Sequence, residues 1–110
     1  MKILEVEVTC PDAETAQSIA RACLTDRLVA CANLLHGVES LFRWQGQIDS
    51  ETEVILRMKA RAMHFDAVCR VVGAHHPYDL PAIIALPVND AAPGVADWVA
   101  AETQDAKIAE

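Results

Sequence analysis

The chain has 110 residues, of which 53% are hydrophobic, and a formal net charge of -7 at pH 7. This length indicates one domain, residues 1–110, with enough hydrophobic content for a modest core. The nine Lys and Arg residues are scattered, which argues against nucleic acid or an anionic membrane as a partner, because both are bound through clustered basic residues.

The first residues carry no pattern typical of secretion or membrane insertion, since Glu5 and Glu7 interrupt any apolar run. The four cysteines show no C-x-x-C spacing; they are Cys10, Cys23, Cys31 and Cys69. We therefore expect a soluble cytoplasmic protein whose cysteines are free thiols rather than a disulfide framework.

The chain begins with a predicted strand, in which Leu4, Val6 and Val8 alternate with polar residues. Pro11 ends this strand, and Asp12 is a good N-cap for a following helix. An amphipathic helix is predicted over residues 13–27, and the apolar residues that should face the sheet are Ala16, Ile19, Ala20, Cys23 and Leu24.

A long hairpin is predicted next, from two strand-like runs at 28–44 and 47–59 that meet at a turn containing Gly46. Because a strand rises about 3.3 Å per residue, the first run could reach roughly 50 Å. A compact domain of this size has a radius of gyration of only about 13 Å. We therefore expect the hairpin to overhang its own domain.

An overhanging two-stranded ribbon exposes pairing edges, so we expect other copies of the chain to cover it. Phe42 and Trp44 are candidate interface anchors, and Cys31, in the apolar first half of the hairpin, is a candidate contact with a neighbouring subunit. The alternative is that Gly37 kinks the first run and the hairpin folds back onto its own sheet.

The rest of the chain is predicted to form a helix over 62–74, a short strand over 81–88 and a last helix over 93–102, followed by a polar tail at 103–110. The side chains expected to face inward from the two helices are Phe65, Val68, Cys69, Val72, Val95, Trp98 and Val99. This order predicts an α+β fold, a ferredoxin-like βαββαβ sandwich with a long β2-β3 hairpin and an extra C-terminal helix.

The densest polar cluster is His75-His76-Pro77-Tyr78-Asp79, at the corner between the second long helix and the following strand. Two interpretations stay open. If the helix ends at His76, both imidazoles could converge on one metal ion, with the Cys10 thiol as a further ligand. Alternatively His75 only completes the helix C-terminus and Tyr78 only packs.

Three acidic residues, Asp49, Glu51 and Glu53, share one face of the hairpin. They could attract a hard cation, but we favour a solvated face that discourages edge pairing. No G-x-S-x-G, G-x-G-x-x-G or phosphate-loop motif is present, so we expect no enzyme activity. An acylphosphatase-like hydrolase would need an arginine in the loop after the first strand. That loop here reads Cys10-Pro11-Asp12-Ala13 and is acidic rather than basic, which argues against such an enzyme.

Five blocks in order along residues 3–102 closely resemble the CutA divalent-cation tolerance family. They are Thr9-Cys10-Pro11-Asp12, Leu28-Val29-Ala30-Cys31-Ala32-Asn33, Trp44-Gln45-Gly46, His76-Pro77-Tyr78 and Ile84-Ala85-Leu86-Pro87-Val88. The resemblance implies a cytosolic ferredoxin-like homotrimer, similar in architecture to PII signalling proteins, that binds copper or other divalent cations and has a role in metal tolerance.

The resemblance also implies site residues. In relatives that bind copper, the histidine pair before the proline supplies ligands, and this pair falls on His75 and His76. Some relatives carry a ligating cysteine at the position of Val8, for which Cys10, on the same strand face, is the candidate substitute. Asp79 stands where glutamate is usual in the family.

An alternative function is a PII-like regulatory module that takes a small organic ligand in the cleft between subunits. The residues expected at this cleft or interface are Cys31, Phe42, Trp44, Tyr78 and Asp79.

Overall fold

The computed structural model of this chain describes residues 2–105. Its elements in chain order are β1 (Ile3–Cys10), α1 (Ala13–Thr25), β2 (Val29–Trp44), β3 (Gln47–Arg61), a 3₁₀ turn (Ala62–His64), α2 (Phe65–His75), β4 (Ile83–Pro87) and α3 (Val95–Glu102). The four strands form one antiparallel sheet in the order β2-β3-β1-β4. This arrangement confirms the predicted α+β sandwich with a long hairpin and a C-terminal helix.

The hydrophobic core lies between α1, α2 and one face of the sheet. Alternate residues of β1 and β3 supply its sheet side, and the buried residues of α1 and α2 supply the other; the largest fully buried side chains include Val6, Val8, Ile19, Leu56, Met58, Val68 and Val72. The α1 N-cap is Asp12, whose carboxylate accepts a hydrogen bond of 2.8 Å from the backbone N–H of Thr15, as predicted.

Several side chains predicted to face inward do so only in part. Leu24 is 40% exposed, because at 100° per residue it lies about 80° from Ala16 around the helix axis. Trp98 is 42% exposed, whereas its neighbour Val99 is fully buried. Phe65 and Cys69 are half-buried at the edge of the core.

The first residues of the predicted polar tail are packed against the sheet. Thr103 is buried, and the Arg61 guanidinium donates hydrogen bonds to its side-chain oxygen at 2.9 Å and to its carbonyl at 3.1 Å. The Gln104 side chain donates to the Asp26 carbonyl at 2.9 Å. The rest of the predicted tail, 106–110, lies outside the described residues.

The end of the hairpin overhangs the sheet. β2 has 16 residues and β3 has 15, but β1 pairs only with the second half of β3, from Val54 to Arg61. Residues 38–44 and 47–53, which we call the hairpin arm, therefore pair only with each other. The predicted overhang is therefore present in the strand pairing. The longest dimension of the molecule is 43 Å, shorter than the roughly 50 Å expected for an unbroken first run.

Gly37 marks an irregularity in β2 but does not end it. Its φ is 68°, and the pairing register shifts between Leu35 and Val38. Such a bulge changes the direction of a strand while the pairing continues beyond it. The bulge thus lies at Gly37, where the alternative prediction placed a kink, and the hairpin arm begins directly after it.

Within the described chain, no helix combines the length and the apolar character that a membrane span requires.

Candidate functional site

The corner between α2 and β4 lies beside the end of β1. The last helical hydrogen bond of α2 runs from the His76 N–H to the Val72 carbonyl at 2.8 Å, and His76 itself is extended, with φ -90° and ψ 135°. Pro77 follows, and the residue before a proline disfavours the helical conformation. The N–H of Thr9 then donates to the Ala82 carbonyl at 3.3 Å, which ties the corner to β1.

His76 is buried, and both of its ring nitrogens have partners. Nδ1 accepts a hydrogen bond of 3.1 Å from the Tyr78 N–H. Nε2 lies 2.8 Å from the carbonyl oxygen of Thr9, which can only accept, so Nε2 carries the proton. His76 is therefore a neutral imidazole that joins β1 to the corner, and neither nitrogen has a lone pair left for a metal ion.

His75 differs from its neighbour. Its Nδ1 lies 3.0 Å from the Val71 carbonyl one helical turn earlier and must be the donor in that hydrogen bond. The side chain is exposed. Nε2 of the neutral ring therefore keeps a lone pair that faces solvent, which is the arrangement that metal-ligating imidazoles use.

Cys10 lies in the hydrophobic core. It is fully buried, and its Sγ lies 3.9 Å from the Val8 carbonyl. Burial raises the pKa of the thiol to about 11, with smaller contributions from the charges of Asp12 and Glu53. Within residues 2–105, no three His, Cys, Asp or Glu side chains lie close enough to hold a metal ion. One chain therefore does not bring Cys10, His75 and His76 together around an ion.

We expect Cys10 and Cys23 to resist thiol reagents in the native protein. Both are fully buried, and burial also raises the pKa of Cys23, to about 12, so neither presents a reactive thiolate at neutral pH. A maleimide should modify both cysteines only after unfolding, as measured by peptide mass spectrometry. The half-buried Cys69 on α2, which is more accessible than either, is the internal comparison for the extent of native labelling. Rapid native labelling of Cys10 would contradict the packing described for β1.

A groove of about 640 Å³ lies between the hairpin arm and the 77–82 segment. Four of the five residues predicted for a cleft line it: Phe42, Trp44, Tyr78 and Asp79. The fifth, Cys31, lies near the start of β2 and does not line this groove. Its Sγ accepts a hydrogen bond of 3.8 Å from the Lys59 ammonium on β3. The arm and the corner therefore form one concave site in a single chain.

Glu53 is the part of this groove that sequence reasoning missed. The sequence pattern places it on a solvated acidic face with Asp49 and Glu51, but it is only 5% exposed, whereas the other two are exposed. The corner covers it, and its carboxylate accepts a hydrogen bond of 3.0 Å from the Tyr78 hydroxyl. The only sequence signal is its position directly before Val54, the first core residue of β3.

The groove has a strongly negative character. The pKa of Tyr78 is raised to about 12, first by burial, then by its hydrogen bond to Glu53 and by the charges of Glu53, Glu51 and Asp12.

The Tyr78 ring also contacts His76, at a distance of 4.7 Å between the ring centroids. His76 therefore positions the tyrosine that contacts Glu53, which links the end of β1 to the groove.

Comparisons with known proteins agree over nearly the whole chain. A family profile described as CutA1 divalent ion tolerance protein matches residues 4–102. The divalent-cation tolerance protein CutA of Thermus thermophilus is 37% identical over 98 residues, which are 89% of this chain and 95% of that protein. Protein CutA of Mus musculus is 38% identical over 92 residues, or 84% of this chain, but the chain spans only 52% of the mouse protein.

Solved structures show the same fold. The structure of the divalent cation tolerance protein from Thermus thermophilus has a TM-score of 0.90 and 35% identity, and the match covers 93% of this chain and 99% of that one. CutA1 from Oryza sativa has a TM-score of 0.92 and 31% identity over 96% of this chain and 97% of its own. Because these alignments leave only a few residues of this chain uncovered, the matched regions include at least part of the hairpin arm.

Proposed function

This chain belongs to the CutA1 divalent ion tolerance protein family, and from that premise we propose that it is a non-enzymatic homotrimer that binds copper or another divalent metal ion. We further propose that it acts in the cytoplasm, in tolerance of or response to metal ions. The observation that carries the metal proposal is the exposed His75 imidazole, whose Nε2 has a free lone pair at the corner.

His75 alone does not hold an ion, so the other ligands must come from elsewhere. His76 could ligate only by giving up its hydrogen bonds to Thr9 and Tyr78, and Cys10 only by leaving the core. Among the three expected ligands, the contacts therefore favour His75. We propose that it acts with donors from water or from neighbouring copies of the chain.

The hairpin arm supports the homotrimer. A two-stranded ribbon is marginal in water unless something packs against it, and this one carries exposed apolar side chains: Leu41 at 66%, Trp44 at 57% and Ile48 at 70%. β2 and β4 are also the two edge strands of the sheet within the described chain. Closed symmetric assembly is the usual way in which copies of one chain cover such surfaces.

Light scattering combined with copper titration tests this proposal. We expect a mass three times the 12.0 kDa of one chain. We also expect the unfolding temperature to rise with added Cu(II), because a ligand that binds only the folded state stabilises it. A folded, monodisperse single chain would overturn the homotrimer, and an unfolding temperature independent of Cu(II), Zn(II) and Ni(II) would overturn the metal proposal.

The groove favours a second candidate function, a PII-like regulatory module that takes a small organic ligand. Its volume of about 640 Å³ is within the range of small-molecule sites in proteins. Its lining by the hairpin arm places it where the proposed neighbouring copies would meet.

A further inference from the structure

The groove contains a buried carboxylate that no basic side chain of the described residues compensates. Glu53 is 5% exposed, and the one hydrogen bond that its carboxylate accepts among residues 2–105 comes from the neutral Tyr78 hydroxyl. The ion pairs in that range are Arg57 with Glu7 and Arg61 with Asp105, so Glu53 takes part in neither. A buried charge is costly unless an opposite charge and hydrogen bonds accompany it.

The other charges around the groove have the same sign. Its described lining includes Glu51, Glu53 and Asp79 but no Lys, Arg or His. Anionic ligands would therefore meet repulsion there, whereas a cation would supply the missing counter-charge to Glu53. Burial is the largest cause of the raised pKa of Tyr78, and the hydrogen bond to Glu53 and the charges of Glu53, Glu51 and Asp12 raise it further, in agreement with this negative field.

The apolar part of the lining distinguishes an organic cation from a bare metal ion. Phe42, Trp44 and Tyr78 present aromatic rings to the groove, and Leu80 adds an aliphatic surface. A positive charge over an aromatic face is attracted to its π electrons, most strongly at tryptophan. A divalent metal ion would instead need several converging donors, and the described residues form no cluster of three that could bind one.

We infer that this groove binds a small organic cation, a primary ammonium or guanidinium on a short alkyl chain. Its charged end pairs with the Glu53 carboxylate, and its apolar stem lies against Trp44 and Phe42. This inference rests on the second candidate function and names its ligand class. It does not depend on metal binding at His75, because His75 is not part of the groove lining.

Fluorescence of Trp44 provides the test. The chain has two tryptophans, so a Trp98→Phe variant leaves Trp44 as the single reporter in the groove. The probes are n-butylammonium and agmatine, with n-butanol and n-butyrate as neutral and anionic compounds of matched carbon number. We expect saturable changes in fluorescence with the two cations and none with butanol or butyrate, and calorimetry should give the same affinities.

Matched variants locate the site. Glu53→Gln should weaken binding of n-butylammonium by about 10- to 100-fold, the loss expected when a charged hydrogen bond becomes neutral. Glu39→Gln removes the same charge from the opposite face of the hairpin arm and should leave binding unchanged. In the Trp98→Phe background with calorimetric readout, Trp44→Leu should weaken binding by about 5- to 30-fold through loss of the cation–π contact. Since Trp44 is largely exposed, this variant should fold even if Glu53→Gln does not.

Four outcomes would overturn the inference. Butyrate could bind as well as butylammonium, or Glu39→Gln could weaken binding as much as Glu53→Gln. The intact protein could show no saturable binding, as it would if a second copy of the chain fills the groove. Mg²⁺ or Cu²⁺ could displace butylammonium in a Glu53-dependent way, which would make the site a metal site. His75→Ala should leave butylammonium binding unchanged, so failure here and failure of the metal proposal are distinguishable.

Discussion

Shortening the hairpin arm is expected to convert the proposed homotrimer into folded single chains. In the variant, residues 39–52 are replaced by Asn-Gly, which joins Val38 to Glu53, two residues that face each other across the hairpin. Asn-Gly is a favoured sequence for a two-residue hairpin turn. The hydrophobic core contains no residue from the arm, because its β3 members begin at Val54, so the remaining domain keeps its packing.

Light scattering should then report a threefold lower mass than that of the intact chain at the same concentration, and circular dichroism should show that the sheet and helices persist. The intact chain measured in parallel is the control. A shortened chain that keeps the full mass would place the interface on the sheet edges rather than on the arm. A shortened chain that does not fold would show that the arm stabilises the domain itself.

The parts of the fold that the sequence predicts well are those with a local cause. Alternation of apolar and polar residues predicts β1 and both strands of the hairpin, because the period of a strand is visible within a few residues. The start of α2 is less clear from the sequence, since no capping side chain precedes it. The structure shows why: a 3₁₀ turn comes first, and His64, at the N-cap, makes no side-chain capping bond.

The site is harder to predict because burial and hydrogen bonding depend on segments far apart in the sequence. Glu51 and Glu53 have the same character and the same strand face, but only Glu53 lies where the corner covers the sheet. In the same way, nothing local shows that His76 would meet the Thr9 carbonyl, which is 67 positions away. The sequence alone therefore identifies the corner and the arm but not the contacts between them.

Adjacent histidines at the corner are expected to respond to replacement in opposite ways. His76→Ala should lower the free energy of unfolding by about 1–3 kcal/mol, because it leaves the Thr9 carbonyl and the Tyr78 N–H without their partners. His75→Ala should change the stability by no more than about 0.5 kcal/mol, since the side chain is exposed. Urea unfolding of both variants measures this difference.

Copper affinity should show the reverse order. His75→Ala should weaken Cu(II) binding by about 10-fold or more. Loss of a residue that only hydrogen-bonds to a metal ligand lowers metal affinity by about 10- to 100-fold, so loss of the ligand itself should cost at least as much. His76→Ala should retain the affinity under conditions in which it stays folded. Competition titration against a copper chelator measures both, and His36→Ala, which removes another exposed histidine from β2, is the control for weak surface binding. If instead His76→Ala abolishes copper binding without loss of stability, His76 is the ligand and its hydrogen bonds to Thr9 and Tyr78 must break when the ion binds.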